Sequence, residues 1–368
     1  MKILYIANIR LPTEKAHGVQ IMKTCEAFAT LGHEVTLAVP TRKTPITDDP
    51  FTYYGVKPNF SIMRLRTPDL MRFGPIGFLF SALWLSEQTR FLRVFREADI
   101  IYSRDAFVLL QYVLLGRELV LEAHADPTFI ERLVARFAYR IVAISGAGAR
   151  SFAEIGVPDE KIVIAPDGID LEAFAHPESR EAARARLGLP LDKKVALYAG
   201  RLDGWKGVDT LCEAAELLSD DTSVVVIGGE PEQVAAFSAR YPHVRFLGFR
   251  PYRELPDNQA AADVLVLPNT AKNKVSMHYT SPLKLFTYMA SGVPAAISDT
   301  PSSREILSEE DTYFFAPDDS RALADSIREI LADEDDARKR ATAAKRKVSG
   351  YTWEKRAANI ITSLIIAS

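Results

Sequence analysis

Cysteine is nearly absent from this 368-residue chain. Cys25 and Cys212 lie far apart, each inside an amphipathic helical pattern, so a disulfide framework is excluded and a reducing cytoplasm is expected. His and Cys do not recur at zinc-ligand spacing, and the acidic run DEDD (333–336) falls in a charged helical stretch rather than at a strand end. No metal is therefore expected. Long apolar runs are also missing. The N-terminus MKILYIANIRLP is cut by Asn8 and Arg10 before a signal-peptide core can form, and reads instead as a first strand. The stretch FGPIGFLFSALWL (73–85) contains two Gly and a Pro, and falls short of the roughly 18 to 20 residues of a spanning helix. Charge of one sign is lacking as well. With 45 basic and 48 acidic residues the net charge is −3, so no overall positive field recruits nucleic acid or anionic lipid. Any polyanion site must be local.

What the chain does contain is an ordinary globular mixture, 48% hydrophobic and 25% charged, over a length that suggests two domains. Short β-branched or apolar runs alternate with helical patterns almost throughout, which argues for parallel sheets built from βαβ units. A first series runs through residues 2–9, 33–40, 60–67, 98–104, 118–124, 140–145 and 161–168. After a charged, Ala-rich helical stretch (177–189), a second series begins at KKVALYAGRL (193–202) and continues through TSVVVIGGE, VRFLGF, ADVLVLPN, VPAAISD and YFFAPDD. The boundary is expected near residue 175. The last segment, YTWEKRAANIITSLI, places Trp353, Ala357, Ile360 or Ile361, and Leu364 on one helical face, so it should dock on a domain.

In open parallel sheets ligands sit at the carboxyl ends of strands, so the loops there are where chemistry is sought. The loop GRLDGWKG (200–207) follows a strand and precedes a helix. Gly200 permits close backbone approach, Arg201 offers a bidentate fork, and Lys206 places an ammonium near a helix N-terminus. This composition suits a phosphate or diphosphate; a basic surface turn would have it too. In MHYTSPLKLFTYMASG (277–292), Ser281 and Pro282 form a good N-cap and first helical position, with Leu283, Phe286 and Met289 expected to turn inward. An ordinary capped helix would look the same. Gly229 and the segment LGFRPY, with Phe249 and Arg250, could contact a flat ligand such as a nucleobase. In the first half, His17 and Gly18 open the first helix. LEAHAD places Glu122, His124 and Asp126 at a strand end, where a histidine can transfer a proton or simply be structural. The stretch SGAGARS (145–151) imitates a dinucleotide fingerprint, but Ser151 replaces its third glycine, which disfavours an NAD-dependent oxidoreductase.

The loop GRLDGWKG, the turn APDGID, the strand ADVLVLPN, the segment SPLKLFTYMASGVP and the closing helix, taken in order, resemble the retaining glycosyltransferases of family 4. The resemblance runs from the first strand to the last helix. It implies an α/β GT-B fold, two Rossmann-like doubly wound parallel-sheet domains facing across a cleft. Residues 1–175 would form the acceptor-side domain, with 352–368 packing back on it, and 176–351 the nucleotide-sugar domain. It further implies transfer from a UDP- or GDP-sugar to a saccharide or lipid-linked acceptor, in cell-surface polysaccharide or glycoconjugate synthesis, with no cofactor, metal or nucleic acid. Arg201 and Lys206 match the diphosphate pair, His124 matches the histidine near the reaction centre, and His17 and His124 would lie on the acceptor side. Donor contacts would come from Gly18, Gly200, Gly229, Phe249, Arg250, Tyr279, Ser281, Pro282, Leu283 and Thr287. The leaving phosphate is then thought to accept the acceptor proton.

Two departures stand out from that family. Its paired glutamates, with seven residues between them, fall at Tyr279 and Thr287, and the second normally receives both ribose hydroxyls. A neutral Thr287 forfeits a charged contact of about 1.5 to 3 kcal/mol. A degenerate relative that binds without turnover, or a nucleotide-sugar epimerase of the same fold, are the alternatives. Finally, residues 69–96 combine an apolar run with Arg90, Arg93 and Arg96. Such a segment can touch the inner face of a membrane, although a buried helix followed by a solvated one is the reading preferred from the pattern.

Overall fold

The computed structural model describes residues 1–279 and 283–365. The chain forms two compact units, Met1–Gly168 with the chain from Trp353 onward, and Ile169–Thr352. The crossing falls at Gly168 rather than near residue 175. The turn after the last strand of the first sheet already packs with the second unit's apolar core, through Ile169 and Phe174.

All thirteen strands expected from the pattern form. In the first unit β1 (Lys2–Ile6), β2 (Glu34–Pro40), β3 (Ser61–Leu65), β4 (Ile100–Ser103), β5 (Glu118–Ala123), β6 (Arg140–Ala143) and β7 (Ile162–Ile164) make one parallel sheet in the order β3-β2-β1-β4-β5-β6-β7. In the second, β8 (Lys194–Ala199), β9 (Thr222–Ile227), β10 (Arg245–Phe246), β11 (Val264–Leu267), β12 (Ala295–Ser298) and β13 (Tyr313–Phe315) run β10-β9-β8-β11-β12-β13, again parallel. The central strands read as continuous apolar runs because helices cover both faces. Leu197 shows why: it is fully buried, and Leu197→Ala would cost about 2 to 5 kcal/mol. In each sheet the order reverses beside the first strand, between β1 and β4 and between β8 and β11. The carboxyl ends there are the crevice positions of a doubly wound sheet.

The helix Ala16–Thr30 buries Ile21, Cys25 and Phe28 and ends where Gly32 takes a left-handed φ of 84°. Cys212 is buried in the helix Val208–Ala215, so both cysteines are core residues. The last helix, Trp353–Ile365, buries Trp353, Ala357, Ile360, Ile361 and Leu364 and packs on Ala16–Thr30. Among the described residues no helix is long and apolar enough to cross a membrane. The helix Gly74–Arg90 departs from the expected buried segment. It packs inward through Gly77, Ser81, Ala82 and Leu85, yet exposes Ile76, Phe80 and Trp84 on its outer face, with Phe73 just before it. Their spacing of three and four residues is the cause: one helix cannot turn both sides of so apolar a sequence to one core.

Candidate functional site

At the crevice of the second sheet, β8 ends at Ala199 and the chain passes through residues 200–203 into the short 3-10 turn Gly204–Lys206. Backbone packing there is close enough to exclude side chains. A Cβ on Gly200 would stand 2.3 Å from Lys284 Nζ and 2.8 Å from the Tyr198 hydroxyl, and one on Gly228, at the end of β9, would stand 2.0 Å from the Gly200 carbonyl. Three cations gather around this crossing. Lys284, on the helix Leu283–Ser291, donates to the Tyr198 hydroxyl at 2.5 Å and lies 4.1 Å from that ring's centroid, while Tyr198 donates to the Arg201 carbonyl. Lys206 Nζ lies 3.4 Å from the Trp205 ring centroid. Arg201 is exposed and reaches Asp203 at 3.1 Å.

Burial is the largest influence on both ammonium groups. It draws Lys206 down to about 8, with Asp203 opposing and Arg201 assisting. It holds Lys284 well below the ordinary lysine range, with the Lys206 charge adding to the effect. Two half-buried ammonium groups and a guanidinium, balanced here by Asp203, form a cradle that an anion of two or more charges would complete. Lys284 carried no role in the sequence reading. Its signal was the pattern S-P-L-K, which puts a lysine in the first turn of the same helix.

The other positions matched to donor contacts divide. Tyr279 is buried at the end of the π-helical turn Val275–Tyr279, with Lys274 Nζ 5.6 Å from its ring centroid. Phe249 and Arg250 are exposed beyond β10, and Gly229 follows β9 with Leu202 packed against its Cα. Ser281 and Pro282 lie outside the described residues. Phe286 and Met289 turn inward, whereas Leu283 is only half-buried because it begins its helix. Thr287 is buried, and its hydroxyl is occupied: it donates to the Lys284 carbonyl at 2.9 Å and accepts from Gln259 Nε2 at 2.9 Å. Its single donor is therefore used inside the protein, and the hydroxyl has no proton left to give a ligand.

The first unit assembles a different cluster at the ends of β1, β4 and β5. His124 directly follows β5 and bonds through Nε2 to Glu122 at 2.8 Å. His17, in the first turn of the helix Ala16–Thr30, lies close enough for the two rings to influence each other. Burial, aided by Arg104, lowers both to about 4, so both rings are neutral at pH 7. Arg104 follows β4 and donates to Gln20 at 2.9 Å. Gly18 is needed for packing: a Cβ there would lie 2.2 Å from the Tyr54 hydroxyl, which itself bonds to both the amide and the carbonyl of Thr13. The space on the Cβ side of Gly18 is thus filled by Tyr54. Arg104, Gln20 and Arg356 were not foreseen. Among the described residues no three His, Cys, Asp or Glu side chains converge as metal ligands do.

With this geometry in place, two family models match consecutive parts of the chain: Glycosyltransferase Family 4 over residues 17–173 and Glycosyl transferases group 1 over residues 179–348. A D-inositol 3-phosphate glycosyltransferase of Kineococcus radiotolerans is 29% identical over 298 residues, 74% of this chain and 67% of its own length. Several other curated relatives are spanned over less than half of their length. Among solved structures, sucrose-phosphate synthase from Thermosynechococcus elongatus superposes with a TM-score of 0.80 at 20% identity, covering 100% of this chain and 99% of that one. HepE of Anabaena, solved in complex with UDP and glucose, gives 0.79 at 18% identity over 99% of both chains. These two likenesses establish a common GT-B fold.

Proposed function

Because the chain belongs to the glycosyltransferases of group 1 and family 4, we propose that it moves a sugar from a UDP- or GDP-sugar, bound by the second unit, to a saccharide or lipid-linked acceptor bound by the first. The observation that carries this reading is the convergence of Arg201, Lys206 and Lys284 on the closed backbone crossing of Gly200 and Gly228. Positive charge at that point stabilises a departing nucleoside diphosphate without a metal ion, since it acts where negative charge develops. The bond between the sugar C1 and the diphosphate oxygen breaks, the acceptor oxygen bonds to C1 on the same face, and the acceptor proton passes to the leaving phosphate. The anomeric configuration is thereby retained. HepE, whose structure holds UDP and glucose, lends the donor class further support.

Isothermal titration with UDP, GDP and their sugars tests the reading. Binding to at least one is expected, and binding to none by the folded chain overturns it. A second reading, a binder without turnover, has its own observation in Thr287, a neutral buried residue whose only donor is spent on the Lys284 carbonyl. Sugar transfer or slow donor hydrolysis by the wild-type chain rejects that reading, whereas activity appearing only in Thr287→Glu would favour it.

We further propose that the outer face of Gly74–Arg90 meets an anionic membrane surface on the cytoplasmic side. Phe73, Ile76, Phe80 and Trp84 are each more than half exposed, and Arg72, Arg90, Arg93 and Arg96 outnumber Asp69 and Glu87 in the segment. An apolar stripe beside cations is the composition of an interfacial helix.

A further inference from the structure

Glu122, on β5, is completely buried, and four side chains converge on its two oxygens. The Gln20 amide and His124 Nε2 reach Oε1, the latter at 2.8 Å. The Tyr102 hydroxyl reaches Oε2, as does the Arg356 guanidinium, at 2.9 Å. Arg356 comes from the last helix, where its side chain is buried. It also donates to the Thr24 hydroxyl at 3.1 Å and to the Ala165 carbonyl at 3.3 Å. Two of these contacts therefore tie the chain's final helix to the first helix and to the carboxylate.

A carboxylate this deep would ordinarily be neutral. Burial does oppose its ionisation, but the Arg356 charge foremost, and then the bond from His124, hold Glu122 well below the usual carboxylate range. An ionised carboxylate has only acceptor positions, so every group that meets it must donate. His124 Nε2 therefore carries a proton. The ring as a whole carries just that one, because burial and Arg104 keep it neutral; its other charged or titratable neighbours are Glu122, Arg356 and His17.

We infer that Glu122, clamped by Arg356, locks His124 in the Nε2–H tautomer, so that the ring offers a ligand an acceptor at Nδ1 and no donor. Only the identity of that ligand rests on the glycosyltransferase reading: a sugar hydroxyl would donate to Nδ1. His124 then orients a hydroxyl and does not take its proton. Glu122 and Arg356 act through it as positioning residues.

Long-range proton–nitrogen correlation on the full chain, labelled with nitrogen-15 in histidine and assigned with His124→Asn, tests the inference without requiring activity. The expected result at pH 7.5 is a single form of His124, protonated at Nε2 and unprotonated at Nδ1. An Nδ1–H ring, a charged ring or an equal mixture of tautomers overturns it. In Glu122→Gln, close in shape to the native residue, the amide can accept or donate, so the single form should give way to a mixture; an unchanged pattern overturns the role of Glu122. Arg356→Lys should keep the wild-type pattern and Arg356→Gln should lose it. Equal spectra for those two variants overturn the clamp. If no sugar transfer were found, the wild-type spectrum would still decide the tautomer, so failure here and failure of the proposed activity are distinguishable.

Discussion

Binding of a nucleoside diphosphate should draw protons onto the second unit near pH 8. The reason is the like-charged crowd at residues 201–206 and 284. Burial leaves the Lys206 ammonium with a pKa of about 8 and pushes Lys284 down further, with Asp203 offsetting part of the cost and Arg201 adding to it. A diphosphate brings at least two negative charges among these groups and returns Lys206 toward the ordinary lysine value of about 10.4. At pH 8 a group with pKa about 8 is half protonated when free and almost fully protonated in the complex, so Lys206 alone takes up about half a proton. Lys284 contributes in the same direction.

The sign for affinity follows from the same shift. A pKa raised by binding favours the complex at low pH; the advantage is full below the free-protein value of about 8 and declines as pH rises from there toward the value in the complex. The protonated fraction of Lys206 falls from about nine-tenths at pH 7 to about one-tenth at pH 9, so UDP should bind about tenfold more weakly at pH 9, or about 1.4 kcal/mol. Titration calorimetry at pH 8 in HEPES and in Tris, which differ in ionisation enthalpy, measures the proton number from the difference in heats. Identical heats, proton release, or an affinity constant between pH 7 and 9 would refute the reasoning. Lys206→Met should abolish about half a proton of uptake and, by removing a charged contact of about 1.5 to 3 kcal/mol, weaken UDP binding roughly ten- to hundredfold.

Other consequences concern stability and surface. Arg356→Met leaves the Glu122 carboxylate buried without its cation and should cost about 3 to 5 kcal/mol in denaturant unfolding; a loss below about 1 kcal/mol would mean the pair is not isolated from water. Gly18→Ala drives a methyl into the Tyr54 hydroxyl and should lower stability by about 1 to 3 kcal/mol, an expectation that an unchanged melting temperature contradicts. Thr287→Val removes the acceptor that Gln259 Nε2 uses in the core, so a loss of about 1 to 3 kcal/mol is expected, and a neutral outcome would show that water replaces it. Cosedimentation with vesicles containing anionic phospholipid should retain the wild-type chain and release Phe80→Ser/Trp84→Ser; equal retention of both argues against the apolar stripe as the contact.

The fold was legible because strand pattern and burial agree in a parallel sheet. Each of β1, β8 and β11 is an apolar run bounded by turn residues, the pattern that a strand covered on both faces leaves in a sequence. Arg201 and Lys206 were legible for a related reason: they sit within a few residues of a strand end, where chain order and spatial order coincide. Their partner Lys284 was harder to see. It reaches Gly200 only after more than eighty residues and three further strands, and nothing local marks which lysine of a capped helix will point at another loop. Gly18 has a packing reason to be glycine that no local pattern marks. A glycine at a helix start satisfies an anion-binding pattern, yet a tyrosine 36 positions later can demand the same absence of a side chain. Arg356 carries the most instructive signal. In Trp353–Ile365 the buried face repeats at 353, 357, 360 and 364, and Arg356 lies on it beside Trp353. A charged residue in an apolar stripe is costly unless a buried partner awaits it. The helical period thus predicts that some carboxylate of the first unit is buried and ionised, although it cannot name Glu122. The final helix accordingly carries a charge into the first unit as well as covering it, and that charge is what allows a neutral histidine and an ionised glutamate to stand side by side at the end of β5.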